Sequence, residues 1–580
     1  MRVAFLNILV GFICLFTCMG IGCLVLRRLR IDVSGHWKLA LSTLCGVTVS
    51  QSAITLLLYL GGGVRSLRVI SILLLGTGAY GLLHAGRMLP TMRRSWLAVF
   101  VLTALGLNLL IAVAPSSKID ELHYHMLTPK RIVEDDGLRA YREPFEAAIF
   151  PQMGFQYALS VVHALGFPEA GNVISWGLSA VLMLFLAGVV GELTGSGDLG
   201  WIASGAAAVG VYTSVFHVTS GAHALGDLAI VVALCLCVLP NNDLTASQRL
   251  VLICAALATA ASTKVSLLPV CLLITIAAMR RLPLRTSILL AGSVWGVLYG
   301  PGLLWSYLQT GSPFGLVAAR LFSSDFFDAS SLAKLADARV KTQVGLLGAL
   351  WQFGPSASLA IPLALCVIAF RKQWPFRFVF SLIAIQLALI AFLLPHDFRF
   401  LGGLQFVVLI MAAWSLSEVQ WGHRILVHSG KFATVLCLPW LVVQAYYSRP
   451  FIAVDAGLMD RESFLERYVS FAADFRMLDS VLPQDAVLYI AGTIRPALYY
   501  SPRPVILSPR DAPQDRPIYR FATDAKDDPR IGCNEVIYAN PQAITAAFRT
   551  RREPERGNLR VERCYVKNDG DFLTSRSTFK

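Results

Sequence analysis

A succession of long apolar runs limits what this chain can fold into. Residues 3–26, 39–62, 69–86 and 95–115 are each long enough to cross a hydrocarbon core of ~30 Å as a helix, at ~1.5 Å per residue. Further runs follow at 172–193, 199–218, 225–240, 248–279, 286–306, 344–370, 378–395, 403–418 and 432–447. The sequence therefore predicts a polytopic α-helical membrane protein with about 13–14 transmembrane helices, at ~20 residues per crossing.

Two of these runs need a separate interpretation. The run 248–279 is too long for one crossing and carries Lys264 in its middle, so we expect two shorter helices that turn at Lys264. The first run is longer than the apolar stretch of a signal peptide, and Arg27 and Arg28 follow it directly. We therefore expect a retained helix at the N-terminus.

The formal net charge of +14 results from basic residues beside the helix ends. Four groups lie in short connections: Arg27, Arg28, Arg30 and Lys38; Arg87, Arg93 and Arg94; Arg280, Arg281 and Arg285; Arg371, Lys372 and Arg377. Cytoplasmic loops of membrane proteins favour this pattern, which argues against a nucleic-acid surface. If all four groups are cytoplasmic, we expect the following parts of the chain on the outer side: the N-terminus, 116–171, 219–224, the turn at Lys264, 307–343, 395–402 and everything after 448.

Composition divides the chain into three parts. Residues 1–94 form an N-terminal transmembrane extension, and 95–448 form a transmembrane core with a first outer loop at 116–171. Residues 449–580 lose the long apolar runs and predict a small outer α/β domain, with a helical pattern at 461–482, strands at 485–491 and 534–540, and a helix at 541–548. This domain is either a cap that stabilises the membrane part or a participant in the chemistry.

Cys533 and Cys564 are the two cysteines of this C-terminal domain. In an oxidising outer compartment the pair forms a disulfide, and the alternative is two buried free thiols.

The predicted outer loops carry an unusual set of polar residues, which are Asp120, Glu121, His123, His125, His223, Asp227, Lys264, His396, Asp397 and Arg399. Cations at one membrane face hold a phosphate, and a carboxylate there accepts a proton from a hydroxyl or amine. Simpler interpretations stay open for Asp120 and Glu121 as water-boundary acids, Asp227 as a helix N-terminal acid and Arg399 as an interface anchor. The sequence contains no phosphate-binding loop, HExxH, CxxC or GxSxG motif.

The segment DELHYHMLTPKRIVEDDG resembles the first outer loop of bacterial GT-C glycosyltransferases, the superfamily of protein O-mannosyltransferases and lipid A aminoarabinose transferases. The matching positions are Asp120, Leu122, Tyr124, His125, Pro129, Lys130 and Gly137. Later segments are similar to further motifs of that family in the same order: FPQ at 150–152, ALGD ending at Asp227, AASTKVS around Lys264, GSPF at 311–314 and FRFL at 398–401. The resemblance covers residues 95–420. It departs at Met153–Gln156, where many relatives have Glu, and in four crossings before the first loop, where relatives often have one.

The resemblance implies a GT-C fold with a periplasmic C-terminal domain, a polyprenyl-phosphate-linked sugar donor, and inverting transfer to a lipid A, glycan or protein acceptor outside the inner membrane. Asp120 would be the general base, with Glu121 as the alternative base. Lys264 and Arg399 would bind the donor phosphate. Further substrate-binding positions would be His123, Tyr124, His125, Lys130, His223 and Asp227. No metal site or cofactor is assigned, because the spacing of the first-loop acids and histidines matches no specific site, and a divalent metal stays an open alternative.

Three other functions compete with this interpretation. A transporter or lipid flippase requires charged residues near the membrane midplane and inverted repeats, whereas here the polar residues cluster at one face and no repeat is visible. An O-antigen ligase or polymerase also places cations in outer loops, but the first-loop Asp motif argues against it. A non-catalytic scaffold is the third.

Overall fold

The computed structural model describes residues 2–33, 35–85, 95–118, 120–141, 153–239, 243–327, 374–392, 398–418, 420–490, 498–506, 516–522, 531–546 and 555–566. Helices make up most of this part of the chain, and a five-stranded sheet lies towards the C-terminus. The predicted fold class, a mostly helical membrane protein with a small C-terminal sheet domain, is confirmed.

The α-helices are Arg2–Arg28, Gly35–Tyr59, Val64–Leu83, Leu97–Val113, Leu127–Glu134, Gly154–Ala158, Ser160–Ala164, Ala170–Thr194, Gly197–Ala208, Val211–Phe216, His223–Val238, Ala246–Thr263, Leu268–Met279, Leu284–Leu298, Gly300–Thr310, Trp374–Phe392, Leu404–Ser417, Gln420–Asp455, Arg461–Tyr468 and Ala472–Val481. Single turns of 3-10 helix are Val265–Leu267, Gly315–Ala318, Phe398–Leu401 and Leu498–Tyr500, and Glu121–His125 is a π-helical turn.

Six of the described helices are long and apolar enough to cross a membrane, or seven if one bent pair counts as a single span. Five shorter apolar helices accompany them: Leu97–Val113, His223–Val238, Val265–Met279, Pro375–Ile390 and Leu404–Ser415. The crossing predicted at 344–370 lies outside the described residues. The total number of crossings therefore stays a prediction.

The predicted break at Lys264 is confirmed, because this residue is extended (φ −154°, ψ 103°) between two helical segments. The run 286–306 is bent by 49° where the helix Leu284–Leu298 meets Gly300–Thr310, and Pro301 at the start of the second helix accounts for the bend. The run 199–218 is not one helix, because Gly210 is extended between Ala208 and Val211. Glycine's low helix propensity favours that interruption.

The helix His223–Val238 is buried along its whole length. It packs against Ala170–Thr194, Ala246–Thr263 and Leu404–Ser417. Hydrogen bonds between neighbouring helices add to the apolar packing, such as Thr48 to Thr259 (2.7 Å) and Gln51 to Ser262 (2.7 Å). The residues of this central helix are therefore held on every side.

The chain divides into two compact units. One contains Met1–Ala114, Arg131–Ala140 and Ile149–Asp455, and the other contains Pro115–Lys130, Tyr141–Ala148 and Ala456–Lys580. The segment that carries Asp120 and Glu121 therefore belongs to the same unit as the C-terminal sheet.

The sheet of the second unit has the strand order β2-β1-β3-β5-β4, with β1 Val487–Ile490, β2 Val505–Ile506, β3 Ile518–Ala522, β4 Ile531–Ala546 and β5 Glu555–Val566. β1 is parallel to β2 and β3, whereas β5 is antiparallel to β3 and β4. β1 confirms the strand predicted at 485–491, and β4 the one at 534–540. Leu478 and Phe475 of the helix Ala472–Val481 pack in one core with Leu488 and Phe521 of the sheet.

The helix predicted at 541–548 is wrong over 541–546, which continue β4. Antiparallel pairing with β5 supplies the hydrogen-bond partners of this backbone, which a local apolar pattern does not reveal. A register shift between Asn540 and Ala543 contains Pro541, which has no N–H to donate to the ladder.

Cys533 of β4 lies opposite Cys564 of β5, and a disulfide joins them. We expect Cys533 and Cys564 to resist alkylation in the unreduced protein. Half-buried Cys14 of the first helix, in contrast, is a free thiol. A bridge of this kind typically contributes about 2–4 kcal/mol, so Cys533→Ser should lower the unfolding temperature of the C-terminal domain, whereas Cys14→Ser should not. Alkylation with mass spectrometry measures the first effect and thermal proteolysis the second. Ready alkylation of both tail cysteines without reductant would contradict the bridge.

Candidate functional site

The predicted site residues fall into two groups. His223, Asp227 and Lys264 belong to the first unit, and the segment from Asp120 to Lys130 belongs to the second. Arg399 lies in the helical turn Phe398–Leu401 of the first unit, but its side chain is outside the described part of the structure. His396, Asp397 and the FPQ segment are also outside the described residues.

The Lys264 ammonium lies between two rings. Its Nζ is 3.3 Å from each ring nitrogen of His223 and 4.6 Å from the ring centroid of Phe400. Lys264 follows the last residue of the helix Ala246–Thr263, and His223 begins the helix His223–Val238. Two groups that can carry positive charge therefore meet where apolar helices end, which is the composition of an anion site.

Asp227 lies one turn beyond His223 on the same helix and is only 2% exposed. Its Oδ2 accepts a hydrogen bond from the Tyr212 hydroxyl (2.8 Å) and lies 2.9 Å from His217 Nε2. His217 is fully buried, and its Nδ1 lies 2.9 Å from the Ser179 hydroxyl. The carboxylate is thus paired inside the helix bundle, as a buried charge requires, and it lies beyond the first turn of its helix, which is where an N-terminal helix acid would be.

A glycine turn packs against this carboxylate. Gly402 has a left-handed conformation (φ +54°), and a Cβ there would lie 2.9 Å from Asp227 Oδ1. The preceding turn carries Phe400, whose carbonyl accepts a hydrogen bond from Gln386 Nε2 (2.7 Å). The hydrogen bond from Gln386 anchors the turn that carries the Phe400 ring, and Gly402 leaves room for Asp227 beside it.

Sequence reasoning missed Tyr212, His217 and Ser179. Tyr212 and His217 lie in the segment VYTSVFHVTSGAHALGD, where these two rings and that of His223 precede the acid between apolar residues. Polar groups in a buried helix require partners, so this segment contained a usable signal. Ser179 provided no such signal, because serine is common in membrane helices.

In the second unit, the first-loop motif forms the π-helical turn Glu121–His125. Such turns are rare and often occur at functional sites. His123 and His125 are both buried, and the Tyr124 and His125 rings lie 3.9 Å apart. Asp120 immediately precedes the turn and is half-buried.

The two predicted bases differ in their surroundings. Glu121 is only 3% exposed and accepts a hydrogen bond from the Ser116 hydroxyl (3.1 Å). Burial lowers the pKa of Lys118 to about 8, and the nearby charge of Glu121 opposes that shift. Because Asp120 is half-buried and Glu121 is almost fully buried, Asp120 is the more accessible of the two to a substrate.

Lys130 is engaged with the C-terminal part of its own unit. Its ammonium donates hydrogen bonds to the carbonyls of Tyr499 (2.8 Å) and Ser501 (3.2 Å) and lies 5.5 Å from the centroid of the Tyr499 ring. These contacts could not be predicted from the spacing of the motif, because they join residues more than 360 positions apart in the sequence.

Within the described residues, one set of three potential metal ligands comes close together. These are Cys533, Glu562 and Cys564, with ligand atoms within 4.8 Å of one another, and the two cysteines already form the disulfide.

No protein-family model matches this sequence, and no curated protein matches it either. Among solved structures, ArnT from Cupriavidus metallidurans bound to undecaprenyl phosphate aligns with a TM-score of 0.47 and 12% identity, over 80% of this chain and 98% of that one. Arabinofuranosyltransferase AftD from Mycobacteria aligns with a TM-score of 0.41 and 15% identity, over 82% of this chain and 40% of that one. Both are GT-C superfamily glycosyltransferases, the superfamily that the sequence motifs resemble.

The Lys118–Glu121 pair leads to a titration prediction. Glu121→Gln removes the negative charge that favours the ammonium, so the pKa of Lys118 should fall below its parental value of about 8. Because the unfolded chain binds more protons between pH 8 and the ordinary value of 10.5, the contribution of Lys118 to stability should rise with pH over that window.

Competitive amine labelling across pH, read by mass spectrometry, measures this pKa. Glu535→Gln, on an exposed part of β4, is the matched control and should leave the titration of Lys118 unchanged. A Lys118 pKa near 10.5 in the parental protein would contradict the effect of burial, and an equal Lys118 pKa in the parent and in Glu121→Gln would contradict the effect of Glu121.

Proposed function

We propose that this protein is a glycosyltransferase of GT-C type, which moves a sugar from a polyprenyl-phosphate-linked donor to an acceptor on the outer, periplasmic face of the inner membrane. The observation that carries the proposal is the placement of Lys264 beside His223 at the break of an apolar helix. Placing a lysine among apolar helices is costly, and an anionic headgroup on an apolar chain is a ligand that suits both surroundings.

The reaction requires a stabilised leaving group. The bond between the sugar's anomeric carbon and the donor phosphate oxygen breaks, and negative charge develops on that oxygen. Lys264 would stabilise this charge, with His223 as a second donor when its ring presents an N–H. Arg399, on the turn that also carries Phe400, is proposed as a further cation for the same phosphate.

The other half of the reaction is removal of a proton. The acceptor hydroxyl or amine attacks the anomeric carbon from the side opposite the phosphate, which inverts the configuration, and its proton passes to the Asp120 carboxylate. Asp120 is half-buried whereas Glu121 is almost fully buried, and this difference in exposure supports the choice of Asp120 as the base. A lipid A, a glycan and a protein all offer acceptor groups of this kind.

One observation also favours a second candidate function. A cation at the break of a discontinuous helix is a feature of transporters, so a polyprenyl-phosphate flippase would use Lys264 as well. The two functions differ in their products, because a flippase transfers no sugar in detergent solution.

Two substitutions separate the proposed roles. Asp120→Asn keeps the shape of the side chain but cannot accept the proton, so turnover should fall about 10²–10⁴-fold while the donor lipid still binds. Lys264→Ala removes a charge-assisted contact worth about 1.5–3 kcal/mol, so donor binding itself should weaken, and Lys264→Arg should restore part of it. Product formation and polyprenyl-phosphate binding in nanodiscs measure the two effects.

The matched controls are Asp485→Asn and Lys431→Ala, which change exposed residues and should leave both measurements near the parental values. Sugar transfer by Asp120→Asn at the parental rate would contradict the assignment of Asp120 as the base. Unchanged lipid binding by Lys264→Ala would contradict the assignment of Lys264 as a phosphate ligand.

A further inference from the structure

The segment 116–130, which contains Asp120, is hydrogen-bonded at both of its ends to the C-terminal part of the same unit. At the far end, Lys130 Nζ donates to the carbonyls of Tyr499 and Ser501, with the Tyr499 ring alongside. At the near end, the Tyr500 hydroxyl donates to the Ser116 carbonyl (2.7 Å). Three consecutive positions, 499–501, thus supply the partners for both ends.

Apolar packing covers the stretch between these two ties. Leu122 and Met126 are buried and pack with Val469. Leu127 enters the core formed by Phe471 and Phe475. The π-helical turn is therefore held from one side by buried side chains of the C-terminal part and at both ends by hydrogen bonds.

Ser116, which accepts the hydrogen bond from Tyr500, is also hydrogen-bonded to Glu121, the acid next to Asp120. The carbonyl of Ser116 accepts from Tyr500, while the hydroxyl of Ser116 donates to Glu121. Two hydrogen bonds through Ser116 therefore link Tyr500 to Glu121, the residue that directly follows Asp120.

We propose that residues 499–501 act as a clasp, defined by their contacts with Ser116 and Lys130, which positions Asp120 for the transfer reaction. Lys130 is then a positioning residue and not a ligand of the substrate. The C-terminal domain is, by the same inference, part of the catalytic apparatus instead of a detachable cap. The effect on turnover rests on the proposed function, whereas the effect on the order of the segment does not.

Hydrogen exchange of the full-length protein tests the clasp without any substrate. Lys130→Gln and Tyr500→Phe each remove donors to the carbonyls that close the segment, so amides of 116–130 should exchange at least about tenfold faster, because local opening controls their exchange. Lys130→Arg retains donors and should restore part of the protection. Arg476→Met removes only an exposed ion pair with Glu462 and Glu466, and should leave exchange of 116–130 unchanged.

Kinetics then distinguish positioning from ligand binding. We expect Lys130→Gln and Tyr500→Phe to lower kcat about tenfold or more while polyprenyl-phosphate binding stays at the parental value. A substrate ligand at Lys130 would instead weaken binding with exchange unchanged, and that result would overturn the proposal. Unchanged exchange in both variants, or faster exchange with parental kcat, would overturn it too.

Failure of the proposed function gives a different result. If the parental protein transfers no sugar but the variants still accelerate exchange of 116–130, the clasp stands and the glycosyltransferase assignment falls.

Discussion

The buried carboxylate of Asp227 is the interaction on which the first unit's candidate site depends. An ion inside a bundle of apolar helices is tolerated only when donors surround it, and here Tyr212 and His217 supply them. The same carboxylate lies against Gly402, which has no side chain to displace it. His223 lies one turn away on the same helix and Phe400 lies two residues before Gly402, and Lys264 contacts both of these rings.

In the second unit, a segment of the first loop is built into the core of the C-terminal part. Leu127 shares a core with Phe471, and the π-helical turn is closed by contacts with residues more than 360 positions away. This arrangement explains why a loop rich in charged and aromatic residues has a defined backbone. Glu121 is buried in this segment and accepts a hydrogen bond from Ser116, whereas Asp120 is half-buried.

Features with a local cause could be predicted from the sequence. Apolar run lengths predicted most helices, and a lysine inside one run predicted the break at Lys264, because burying that charge in a continuous helix is costly. Features caused by distant contacts could not. The strand at 541–546 depends on pairing with β5, and the contacts of Lys130 depend on a turn near residue 500. The Tyr212–His217–Asp227 network was predictable only in part. The sequence shows two polar rings near an acid, but it does not show that both rings contact the Asp227 carboxylate.

The central claim is that a lipid-linked phosphate binds beside Lys264, and photo-crosslinking measures this directly. A polyprenyl phosphate with a diazirine on its first isoprene unit would be irradiated with the full-length protein in nanodiscs, and labelled peptides would be mapped by mass spectrometry. We predict label on peptides that contain His223, Lys264 or Phe400, and its loss when excess unlabelled polyprenyl phosphate competes. Label spread over lipid-exposed helices and insensitive to that competitor would contradict the account.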